Sequence, residues 1–97
     1  MRIVKSGRWL YDSSVEKPVD IVALDFDYHY EIAHADGTLD AGEQPQPMGE
    51  DGVLYYVRFR SAGDKRTPTM VDSRGLAALS EAIAIAEQQA PSPIRWK

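Results

Sequence analysis

The sequence predicts a small α+β domain: a mostly antiparallel sheet packed on one C-terminal helix. Two stretches alternate apolar and polar residues with the period of a strand, residues 22–32 and 53–60, and one stretch, residues 73–90, repeats its apolar residues with the period of a helix. At 97 residues and 43% apolar composition, the chain has material for one hydrophobic core, so residues 1–97 read as a single domain.

The elements follow in order. Ile3-Val4 and Trp9 to Tyr11 are short apolar pieces around a Ser6-Gly7 turn signal, which predicts two short strands or one irregular edge strand. Asp12, Ser13 and Ser14 either turn the chain or cap a helical turn before Pro18. In "LDFDYHYEI", Leu24, Phe26, Tyr28, Tyr30 and Ile32 fall on one face of an extended chain, with Asp25, Asp27, His29 and Glu31 on the other. Asp36-Gly37 is a hairpin-turn signal, and the Pro- and Gly-rich residues 40–52 favour irregular structure. Val53, Tyr55, Val57 and Phe59 then form an apolar face opposed by Arg58 and Arg60. Residues 61–66 read as a turn, with a return strand over residues 67–71. The helix that follows takes Asp72 or Ser73 as N-cap, buries Leu76, Leu79, Ile83, Ala86 and Ala90, leaves Ile85 almost opposite, and ends at Pro91.

Composition narrows the chemistry. Without cysteine there is no disulfide, thiolate zinc site or cysteine nucleophile, a usage that fits a reducing cytoplasm. No apolar run approaches the roughly 20 residues that span a bilayer, and neither a membrane nor a nucleic acid partner is expected. The net charge of −4 is unevenly distributed: residues 20–51 hold nine carboxylates and no Lys or Arg, and basic residues dominate on both sides. Such a block repels phosphates and attracts a basic protein.

Two sets of residues are candidates for function. The first is the row Asp25, Asp27, His29 and Glu31, with Arg58 and Arg60 expected across from it on the neighbouring strand as cross-strand ion pairs. Imidazole and carboxylates suit metal or acid/base chemistry, yet same-face positions on one strand lie roughly 6.6 Å apart, too far to converge unaided on one ion. No metal or cofactor is therefore assigned. Asp25-Phe26-Asp27 resembles the Asp-x-Asp start of haloacid-dehalogenase-type phosphotransferases over three positions, but the alternation running on to Ile32 and the short chain depart from that family's loop and doubly wound fold. The second set is Asp40, Glu43, Glu50 and Asp51, an acidic surface for docking.

The reading that results is a protein-recognition or inhibitor-like module that uses an acidic surface against a basic partner. One alternative is a small hydrolytic or metal-assisted enzyme using His29 with Asp25, Asp27 or Glu31. Another is a structural homodimer joined through Ile85, Trp96 or a sheet edge.

Overall fold

The computed structural model of the protein describes residues 2–60 and 71–97. It contains β1 (Arg2–Tyr11), β2 (Val15–Leu24), α1 (Tyr28–Asp36), β3 (Leu54–Phe59), α2 (Leu79–Gln89) and β4 (Arg95–Trp96). The strands form one antiparallel sheet in the order β3-β2-β1-β4. This is the α+β architecture expected, with α2 on one face. The expected turn at residues 61–66, and most of the return strand after it, lie outside the described residues.

β1 is one continuous strand rather than two short ones. Ser6-Gly7 does not turn; Gly7 lies opposite Trp96, and a Cβ there would come within 2.8 Å of the Ile94 and Trp96 side chains. A missing side chain thus lets the C-terminal segment lie against β1. The turn falls instead at Asp12 and Ser13, both with positive φ, as in the tight turns that match strand twist. Pro18 is tolerated inside β2 because it lies at the end of the β3 pairing, where its carbonyl still accepts the Arg60 N–H at 3.1 Å and only its own missing donor goes unused.

The largest departure from expectation lies in residues 22–32. β2 ends at Leu24, the chain turns through Asp25 and Phe26, and residues 28–36 are helical. Asp27 is the N-cap, its Oδ1 accepting the Tyr30 N–H at 3.1 Å. Gly37 ends the helix with φ +70°, its left-handed backbone serving as a helix stop and not as a hairpin turn. Phe26 and Ile32, two residues of the apolar face read from the alternation, are exposed.

Both faces of β2 and β3 are covered. On one, Val19, Ile21, Tyr55 and Val57 pack against Leu76 and the α2 alanines Ala82 and Ala86, whose small side chains bring the helix close to the sheet. On the other, Val22, Leu24, Leu54 and Tyr56 pack with Val71, Tyr28 and Met48. Burial of β2 on both faces is why every residue from Pro18 to Leu24 is inaccessible.

α2 starts at Leu79, later than its periodicity suggests. Asp72 and Ser73 do not cap it. The Asp72 carboxylate accepts the Phe59 N–H at 2.6 Å and Ser73 Oγ accepts the Val57 N–H at 2.9 Å, while Leu76 exchanges two backbone hydrogen bonds with Tyr55. This segment closes the outer edge of β3. On the opposite edge, Ser92 Oγ accepts from the Leu10 N–H and donates to the Leu10 carbonyl. Backbone edges that would recruit another strand are thus partly satisfied within the chain.

Candidate functional site

The carboxylate that gathers partners is Asp20, which lay outside both candidate sets. It occupies the inner strand β2, opposite Ser6 of β1 and Arg58 of β3, and is fully buried. Arg58 Nη2 lies 2.9 Å from its Oδ2 and Arg60 Nε 2.8 Å from the same oxygen, while Ser6 Oγ donates to Oδ1 at 2.8 Å. Burial disfavours the charge of Asp20, but the hydrogen bonds from Arg58, Ser6 and Arg60 and the Arg60 charge outweigh it, holding the carboxyl below its ordinary pKa.

Arg58 and Arg60 therefore do not lie across from Asp25, Asp27, His29 and Glu31. The register explains this: β3 does pair with β2, but Arg58 meets Asp20, and the expected row begins only after the strand has ended. A signal for Asp20 was present in the sequence, since it is the one charged residue in the apolar run Val19 to Leu24. A charge in such a run demands partners inside the fold.

The row itself is dispersed. Asp25 is exposed in the turn, Glu31 is exposed in the first turn of α1, and the two oxygens of Asp27 accept the backbone N–H groups of Tyr30 and Gln46. His29 Nε2 lies 2.8 Å from the Ser73 carbonyl oxygen, so that nitrogen carries the proton. Among the described residues no group of three or more His, Asp or Glu side chains is arranged to hold a metal ion. A turn does follow β2 at Asp25, as the Asp-x-Asp pattern of that phosphotransferase family requires, but the antiparallel sheet is not a doubly wound parallel one.

The four expected docking residues Asp40, Glu43, Glu50 and Asp51 are all exposed. Their loop is nevertheless tied to the fold. Gln46 donates from its backbone to Asp27 and from its side chain to the Gly75 carbonyl at 2.9 Å. The Gly49 N–H donates to the Val53 carbonyl, and Gly49 approaches Ala77 so closely that a Cβ would lie 2.2 Å from the Ala77 oxygen. Glu50 and Asp51 line, with Glu81, Ala77 and Ala78, a cleft of about 340 Å³.

Two tyrosines connect this surface to β3. Tyr55 donates to Asp51 at 2.6 Å, and that bond, with burial, raises the pKa of the phenol. Tyr56 is fully buried, and its hydroxyl accepts the Tyr28 N–H at 2.8 Å, supporting the first turn of α1 from below. Burial and the Asp27 charge raise its pKa although the Tyr28 bond works the other way.

The expected homodimer residues are engaged internally. Ile85 and Trp96 pack against the α2-side core, and Trp96 lies within 5.7 Å of Lys5 Nζ in a cation–π contact. Ile85 is thus on the flank of the buried stripe rather than opposite it. Among the described residues, no helix is long and apolar enough to cross a membrane. No protein-family model, curated protein or solved structure matches this chain, which stands here as an α+β domain with a four-stranded antiparallel sheet and a C-terminal helix.

Proposed function

We propose that this domain is a protein-recognition module of inhibitor-like character, whose acidic loop at Asp40, Glu43, Glu50 and Asp51 docks onto a basic protein. The observation that carries this reading is the engagement of Arg58 and Arg60 by Asp20 inside the fold. Those arginines were the cations expected to pair with the acidic row Asp25, Asp27, His29 and Glu31. Among the described residues, no ion pair includes Asp40, Glu43, Glu50 or Asp51. Carboxylates without an ion pair among the described residues, on a loop held by Gln46 and Gly49, present a preorganised negative field, which speeds encounter with a positive surface and limits the ordering cost of binding.

The test is affinity capture from native extract at low and moderate salt, with the wild-type domain and a variant carrying Lys at positions 40, 43, 50 and 51 as baits. The wild-type domain is expected to retain a salt-sensitive basic protein that the variant loses. Equal retention by both baits rejects the loop as the docking site. No observation specifically favours the hydrolytic or homodimer alternative, since the His29 group does not converge and Ile85 and Trp96 are occupied within the fold.

A further inference from the structure

At the foot of α1, a notch of about 250 Å³ is lined by Arg2, Ala23, Leu24, Asp25, Phe26 and Val53. Its floor comes from the end of β2, where Ala23 and Leu24 are buried, and one wall is the Phe26 side chain, which is 40% exposed. Phe26 immediately precedes the N-cap Asp27, a position where an apolar residue ordinarily staples onto an apolar residue in the first helical turn. Here the stapling position is Glu31, which is exposed, so that partner is missing. The backbone beside Phe26 is nevertheless fixed, because Asp27 caps α1 and the Tyr28 N–H is held by Tyr56. An aromatic side chain on a rigid turn, left without its usual intramolecular contact, borders an apolar floor.

We propose that this notch is the anchor pocket of the recognition surface and takes one bulky apolar side chain from a basic segment of the partner protein. The inference rests on the recognition reading above and adds where the partner's apolar contact is made. Its volume is below the roughly 300–1,000 Å³ of small-molecule pockets, which suits a single side chain. Charge selects the segment. Asp25 stands at the rim, and it opens the run of carboxylates from residue 25 to residue 51 that contains no Lys or Arg. Arg2 on the rim offers a donor to a backbone carbonyl of the docked segment. An apolar centre inside a polar rim is the usual anatomy of a protein interface. The cleft between Glu50, Asp51 and Glu81 offers charge without an aromatic wall, so it does not substitute for the notch.

The experiment uses the whole domain and a display library of random dodecapeptides. Enriched peptides are expected to place a bulky apolar residue beside Lys or Arg. A synthesised member should shift the backbone amide resonances of Ala23, Asp25, Phe26 and Val53, and Phe26→Ala should weaken its binding about tenfold, the effect of removing a hot-spot contact. The wild-type shift map keeps the test independent of how Phe26→Ala folds. Shifts centred elsewhere, or affinity unchanged by Phe26→Ala, overturn the pocket. If binding survives Phe26→Ala but is lost when Asp40, Glu43, Glu50 and Asp51 are reversed, the pocket fails and the recognition reading stands. If the library enriches no basic peptide, both fail.

Discussion

Asp20 and the loop carboxylates Asp40, Glu43 and Glu50 are the same chemistry in opposite settings. Asp20 is inaccessible to water and takes hydrogen bonds or ion pairs from Arg58, Arg60 and Ser6; the loop residues are exposed and have no ion pair among the described residues. The difference teaches that the net charge of a segment says little about its surface until the interior ion pairs are known. One buried acid engages two arginines, and the acidity of the loop is what remains outside.

The largest expected effect breaks the buried half of this comparison. Asp20→Asn leaves two guanidinium groups facing a neutral amide and should destabilise the domain by about 3–5 kcal/mol, read by urea denaturation. A loss under about 1 kcal/mol would show that the cluster does not hold the sheet together. Tyr56→Phe should come next, at about 1–3 kcal/mol, because it removes the buried acceptor of the Tyr28 N–H. Hydrogen exchange should then quicken in the first turn of α1 and leave β1 unchanged. Asp27→Ala removes the cap of that helix and the acceptor for Gln46, for a loss of about 1 kcal/mol with the same local signature.

The pH dependence separates the two settings. Because the folded pKa of Asp20 is depressed, its contribution is fully present above the unfolded carboxyl value of about 3.9 and is lost as pH falls through the folded value. Stability measured down through that range should fall in the wild type and much less steeply in Asp20→Asn. The tyrosines run in the other direction. Their raised pKa values stabilise the fold below the ordinary phenol value of about 10, and this contribution disappears as pH rises through the folded values. The smallest effect belongs to the loop: charge reversal at Asp40, Glu43 or Glu50 should change stability by no more than about 0.5 kcal/mol each, whatever it does to binding.

The antiparallel sheet as a class, β3 and the C-terminal end of α2 were legible because their patterns agree with burial. Residues 53–60 alternate as a strand and Leu54–Phe59 form one, and Pro91 follows the end of α2 as a helix stop. Residues 25–32 were misread because an alternating pattern is also compatible with a short helix that buries none of its residues. The competing signals were present: Asp27 as N-cap and Gly37 as helix stop, ten positions apart. Asp72 and Ser73 were misread for a related reason, since the same side-chain oxygens that cap helices can satisfy a strand edge.

By itself the sequence determined the fold class, the alternating strand β3, a C-terminal helix and an acidic middle third, because each depends on composition and local period. Only the tertiary structure decided which groups the Asp20 carboxylate meets. That choice depends on strand register, which set Ser6, Asp20 and Arg58 on neighbouring strands at one level of the sheet. Register is fixed by the whole set of side chains buried on both faces, and a shift of one residue would exchange the two faces of β2.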